Sequence, residues 1–82
     1  MSLYNAVMKE IAPRIVVDEK VAFGKAVILG TRVPVALLVG KLAGGMSAAE
    51  VADEYDLDVA DVMAALAYAA RLLDDEQVLA IA

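Results

Sequence analysis

The spacing of apolar residues changes along this chain, and each change predicts a different element. Leu3, Tyr4, Val7, Met8 and Ile11 recur at three- and four-residue intervals, which predicts a short helix over residues 3–11. Pro13 closes that helix, because proline disfavours helical backbone at the residue before it. Arg14-Ile15-Val16-Val17-Asp18 is rich in branched side chains and reads as a strand. Asp18-Glu19-Lys20 follows as a polar turn. Val27-Ile28 and Val33 then read as two short strands joined through Gly30-Thr31, where glycine is free to take a positive φ. Pro34 has no N–H to donate and suits a strand end or a first helical turn.

From Val35 onward the period is helical. A first helix over residues 35–43 presents Val35, Leu38, Val39 and Leu42 to the core, and Gly44-Gly45 ends it with one glycine in the left-handed conformation. A second helix starts after Ser47, with Glu50 three residues on as a capping box. Met46 and Val51 form a hydrophobic staple across the same start, and the helix ends near Tyr55. Asp58 caps a third, longer helix running to Leu73, with Asp61 in its first turn where the helix dipole favours a carboxylate. Val59, Val62, Met63, Leu66, Ala70 and Leu73 are its expected buried stripe. Ala64, Ala65, Ala67 and Ala69 leave the rest of its surface small, and Ala65, Tyr68, Ala69 and Leu72 are the expected dimer or partner contact. The tail Val78 to Ala82 is apolar and fits a last helical turn, a strand, or a segment ordered by a partner. These elements make a mainly α fold: a small three-helix, helix-turn-helix-like bundle with an N-terminal β-hairpin. It is one domain over residues 1–82, with a hairpin region to residue 34, the bundle over 35–73 and a tail over 74–82.

Composition changes this picture in one respect. A domain of 82 residues buries only about 60% of the surface of its unfolded chain. Yet 62% of the residues are apolar, and although 17 of them are alanines, the excess points to a self-associating or partner-binding face and favours a homodimer. The longest apolar run, Val62 to Ala70, is far short of the ~20 residues that span a bilayer. With no secretory leader pattern either, the chain reads as cytoplasmic with no membrane partner.

Charge is uneven. Residues 1–41 carry six basic and three acidic side chains, whereas residues 42–82 carry one basic and nine acidic ones. One reading of this asymmetry is two solvated faces, with Lys25 and Lys41 as surface charges. The other is that any anionic ligand is met by the N-terminal half, with Lys25, Arg32 and Lys41, and Arg14 and Lys20 as well, as candidate nucleic-acid contacts. The structural alternative for Arg32 is an ion pair with Asp18, Glu19 or a carboxylate of the second helix. The N-terminal residues of the third helix, Asp58, Val59, Ala60, Asp61 and Val62, set two carboxylates where a recognition helix reads bases, so that helix is poorly suited to the role.

Catalytic chemistry finds little to stand on. The absence of His and Cys removes the commonest general base, the commonest thiol nucleophile and most transition-metal ligands. Ser47 is engaged as a cap, no phosphate-loop spacing follows Gly24-Lys25, and Asp53, Asp56 and Asp58 do not form a calcium loop. The reading is a non-enzyme with no cofactor and no metal.

One stretch carries a family resemblance. Gly24-Lys25, Val27-Ile28, Gly30-Thr31-Arg32 and Pro34-Val35, then Gly45-Met46-Ser47, Glu50-Val51, Tyr55, Leu57, Asp61-Val62 and Ala64-Ala65-Leu66-Ala67-Tyr68-Ala69, resemble the pattern of the prokaryotic family called domain of unknown function 433 (DUF433). Gly24, Gly30, Thr31 and Pro34 are its backbone devices under any reading. Ala26 stands where the family usually has Pro, and Leu29 where it usually has Arg, which removes a charge beside the turn. The resemblance implies grouping with helix-turn-helix folds and a role as antitoxin to a PIN-like ribonuclease toxin in a type II pair, with repression of its own operon as a second role. The alternatives are a homodimeric DNA-binding regulator without a toxin and a self-assembling structural domain.

Overall fold

In a computed structural model, which describes residues 8–75, a three-stranded antiparallel sheet packs against three helices. The strands are β1 (Met8–Ala12), β2 (Ile15–Asp18) and β3 (Ala26–Ile28), in that spatial order. The helices are α1 (Val35–Ala43), α2 (Ala48–Glu54) and α3 (Val59–Asp75). The two parts are a sheet and a bundle rather than a bundle with a hairpin.

The helix expected over residues 3–11 is not formed at its C-terminal end. Met8 to Ala12 is a strand, paired Lys9 to Val17 and Glu10 to Val16, with an irregularity between Glu10 and Ala12. Residues 3–7 lie outside the described residues, as does the tail 78–82. Pro13 and Arg14 form the tight turn into β2, proline supplying the fixed φ and Arg14 the positive one, +66°. A helical spacing over nine residues is a weak signal, and the ladder that β2 offers supplies the backbone with partners that a short helix lacks.

The hairpin expected between Val27-Ile28 and Val33 is likewise only partly present. Ile28 N–H donates to the Val33 carbonyl at 3.0 Å, and Val27 and Pro34 form one isolated bridge. Pro34 cannot donate to a continuing ladder, and Val35 turns the chain into α1, so β3 finds its real partner in β2, with Ile15 opposite Ile28 and Val16 opposite Val27. Gly30, at φ +80°, closes the turn after β3, and Thr31 Oγ1 donates to the Ile28 carbonyl at 2.8 Å while accepting from Val33 N–H at 3.0 Å.

Helix ends follow their sequence signals. Gly45 takes φ +107° after α1, and Met46 N–H reaches back to the Lys41 carbonyl. The Ser47–Glu50 capping box opens α2 in both directions: Glu50 N–H donates to Ser47 Oγ at 3.1 Å, and Ser47 N–H donates to Glu50 Oε1 at 2.8 Å. At the end of α2, Asp56 holds a left-handed φ of +56° and Leu57 N–H bonds the Ala52 carbonyl at 2.8 Å, the six-to-one bond of a Schellman motif without its usual glycine. The cap of α3 comes from Asp61, whose Oδ2 accepts the Asp58 N–H at 3.0 Å.

The core sits where sheet and helices meet. Ile15 and Ile28 from the sheet are buried with Val35 and Leu38 of α1, Val51 and Ala52 of α2, and Val62 and Ala65 of α3. This rotates the inward face of α3 away from the expected stripe. Val62 is wholly buried, but Val59, Met63, Ala70 and Leu73 are exposed and Leu66 only partly covered, while Ala65 takes the innermost place. A small side chain there lets α3 approach its neighbours closely, and that closeness outweighs the larger apolar area of Met63 or Leu73.

The capping box gives α2 a pH dependence. The N–H of Ser47, and then its hydroxyl, hold the Glu50 carboxyl below its ordinary value of 4.5. A depressed carboxylate stabilises the fold above the unfolded-state value, and that contribution is lost as pH falls through the folded-state one. Thermal melts should therefore place wild type above Glu50→Gln at pH 7, with the difference closing below pH about 4. A difference that persisted into strong acid would remove Glu50 ionisation as its cause.

Candidate functional site

An apolar groove runs between α1 and the C-terminal half of α3, with a volume of about 730 Å³. Val35, Ala36, Val39 and Gly40 form its α1 wall, Tyr68, Ala69, Leu72 and Leu73 its α3 wall, and Lys25, Ala26 and Pro34 its end at β3. Lys25 is the single charged side chain among these lining residues. Gly40 is unusual for the middle of a helix, where glycine is less favourable than alanine by about 1 kcal/mol. A Cβ added to it would meet nothing within 4 Å, so the helix has room for a side chain there and leaves it open to the groove.

Of the residues expected to contact a partner, Tyr68, Ala69 and Leu72 are gathered along this groove. Ala65 is not among them. It is 0% exposed and committed to the chain's own core, so it offers no surface to a partner. The α1 wall was not singled out in the sequence as a surface. Val39 was assigned to the core, and the one available signal was Gly40, a helix-disfavouring residue in an otherwise good helix.

Beside the groove the backbone does something costly. Ala22, Phe23 and Gly24 take φ values of +51°, +59° and +80° in succession before β3 begins. Left-handed backbone costs a residue with a side chain roughly 1–2 kcal/mol, and two such residues adopt it here. The result is to present Phe23, the chain's only phenylalanine, 100% exposed, two residues from Lys25 at the groove's end. Nothing in the sequence distinguished this turn from an ordinary lead-in to a strand.

The basic residues do not share one site. Lys25 ends the groove, Arg32 lies in the connection between β3 and α1, and Lys41 sits in the last turn of α1 with its Nζ 3.9 Å from Glu54 Oε2 on α2. The expected alternative for Arg32, an ion pair with Asp18, Glu19 or a carboxylate of α2, is not formed among the described residues. Asp18 Oδ1 instead accepts the Lys20 N–H at 2.9 Å. The arginine that does lock the sheet to the bundle is Arg14, whose Nη1 donates to Asp61 Oδ1 at 2.8 Å across 47 residues of sequence. Its left-handed turn lifts the side chain toward the N-terminus of α3, whereas Arg32 follows a turn that faces solvent.

Among the described residues no group of three or more Asp or Glu is placed to hold a metal ion, and no helix is long and apolar enough to cross a membrane.

The model of the family "Protein of unknown function (DUF433)" matches residues 15–69, from the start of β2 through Ala69 on the groove wall. This chain belongs to the DUF433 family. The matched segment includes every buried residue of the core cluster, from the sheet and all three helices, and nearly all of the groove. None of the curated proteins is significantly similar to the chain. Among solved structures it is similar to the crystal structure of Rv2018 from Mycobacterium tuberculosis, with 33% identity and a TM-score of 0.59 over 63% of this chain. The match takes in 24% of that protein, so the DUF433 chain corresponds to about a quarter of its length.

Arg14 and Arg32 should separate in denaturation experiments. Arg14→Ala removes a half-exposed ion pair and is expected to lower stability by up to ~1 kcal/mol in urea, whereas Arg32→Ala should stay within ~0.5 kcal/mol of wild type. The reverse ranking would mean that Arg32, not Arg14, ties the sheet to the helices.

Proposed function

We propose that this protein is the antitoxin-like member of a type II toxin–antitoxin pair and neutralises a PIN-like ribonuclease by direct contact. The apolar groove between α1 and α3 carries this reading. A groove of this size lined almost wholly by apolar side chains suits a helix or strand from a protein partner, and the Lys25 end suits an acidic group on that segment. Phe23, held out in strained backbone beside it, has the character of an interface anchor, since exposed aromatics dominate the energetics of protein contacts. Strain of this kind is retained where function uses it.

Gly40 provides the test. Gly40→Leu should raise the stability of the free chain by about 0.5–1 kcal/mol, because it replaces a helical glycine in open space. The same side chain fills the groove. Co-expressed with the adjacent reading frame of the native operon, wild type should relieve growth arrest and co-purify with the neighbour, and Gly40→Leu should do neither while melting higher. A neighbour that is harmless alone defeats the antitoxin reading. A neighbour neutralised equally well by Gly40→Leu moves its binding site out of the groove.

Arg32 favours a second role on operator DNA. It is exposed and belongs to neither ion pair among the described residues, and with Lys25 it lies in the basic half of the chain. Contacts of this kind go to phosphates, since the start of α3 presents Asp58 and an Asp61 already bonded to Arg14. In a salt titration of operator binding, Arg32→Ala should reduce the slope of log K against log salt by about one. An unchanged slope would leave protein binding as the sole role.

A further inference from the structure

The apolar residues of α3 that the core does not use are regularly spaced. Val59, Met63, Leu66, Ala70 and Leu73 follow one another at intervals of four, three, four and three. This is the spacing of a coiled-coil seam, which keeps one stripe facing one partner helix. Among the described residues the stripe lacks that partner: Val59 is 46%, Met63 52% and Leu73 70% exposed. It runs along a different side of α3 from Tyr68, Ala69 and Leu72, meeting the groove only at Leu73.

We infer that this stripe is the seam of a homodimer in which α3 packs antiparallel on α3 of a second copy. The size of the stripe agrees with that occupant. With the adjacent Ala60 and Ala67 it offers on the order of 500 Å² of surface per chain, so a pair buries about 1,000 Å², the lower end for a specific interface. Flanking chemistry agrees as well. The helix positions bordering the stripe are Ala60, Ala67 and Asp74 on one side and Val62 and Ala69 on the other. Asp74 at the C-terminal end is therefore the one charge on the border, and the rest of the seam allows the helices to approach closely. Charge also selects the direction. A parallel pair sets Asp74 and Asp75 against their own copies. An antiparallel pair brings them to the N-terminal end of the partner's α3, where the helix dipole is positive and Asp61 is already paired with Arg14, leaving the exposed Asp58 as the carboxylate they meet there. The seam shares Leu73 with the rim of the groove and otherwise lies on a different side of α3, so two copies can pair while the α1 wall of each groove stays open.

Sedimentation of the whole chain across a micromolar concentration series tests this. Wild type should pass from monomer to dimer over that range, as expected for an interface of this size. Met63→Glu and Leu73→Glu should hold the protein monomeric, with a circular-dichroism melt that matches dilute, monomeric wild type, because both residues are exposed in the monomer. Ala36→Glu, on the α1 wall of the groove, should leave the dimer intact. A wild-type monomer throughout, or a dimer that survives Met63→Glu, overturns the seam. Direction is read separately. The chain has no cysteine, so a mixture of Val59→Cys and Leu73→Cys chains under mild oxidation should give the mixed disulfide. Only like-with-like products would overturn the antiparallel arrangement. Growth rescue by a monomeric Met63→Glu chain would separate this seam from the groove's role, since the two fail independently.

Discussion

Ile15 and Ile28 lie opposite each other on neighbouring strands and meet side chains from all three helices at once. Leu38, Val51 and Val62 each arrive from a different helix, and each is completely buried there. The chain is too short to build a second layer, so this one meeting point determines where everything else can be. Burying a Leu, Ile or Val side chain contributes roughly 1.5–3 kcal/mol. Five such residues at one junction supply most of what holds the sheet on the bundle, and Arg14–Asp61 sets its orientation. The groove lies between α1 and α3, where Ala36, Gly40 and Ala69 present small side chains or none at all.

The legible parts of the chain were those where one residue type answers one local demand. Ser47 and Glu50 made a cap, Gly45 a helix end, and Gly30-Thr31 a turn, each through chemistry confined to three or four neighbours. The β2 strand was legible for the same reason, being a run of branched residues. Long-range matters were less so. The strand Met8–Ala12 is created by its pairing with β2, and its turn uses Arg14 rather than glycine at positive φ, which hid the turn from a reading by residue type. The inward face of α3 departs from the one that three- and four-residue spacing predicts, because spacing does not weigh how closely two helices can approach. At a crowded helix crossing the decisive quantity is how closely two backbones can approach, so Ala65 goes inside and Met63 stays out. Tyr68, Ala69 and Leu72 were legible as a smooth surface, but the opposite wall was not, because a groove needs two elements and the sequence shows one at a time.

The long helix carries three duties on three sides: the core through Val62 and Ala65, the groove through Tyr68, Ala69 and Leu72, and the exposed stripe from Val59 to Leu73. This explains the chain's apolar excess without a larger interior. It also explains the small residues. Alanines between these surfaces let neighbouring elements approach from several directions, where larger side chains would crowd one surface to fill another. From Ala43 onward the described acidic residues lie on α2, between α2 and α3, or in the first and last turns of α3, so Arg71 is the one charge along α3 between those turns.

The Arg14–Asp61 pair joins points 47 residues apart, and the order of synthesis gives that separation a consequence. A nascent chain emerges with its sheet first, and β2 and β3 carry Ile15 and Ile28 into solvent with nothing to cover them. Val35 and Leu38 of α1 and Val51 of α2 supply part of their cover first, and Val62 and Ala65 of α3 complete it last. Until α3 is made, that strand surface is therefore only partly covered, the kind that chaperones hold and proteases cut. A ribosome that stalls before α3 leaves a fragment with no stable fold and no groove. Such a fragment would be removed rather than stored, and the supply of working protein would follow completed translation closely.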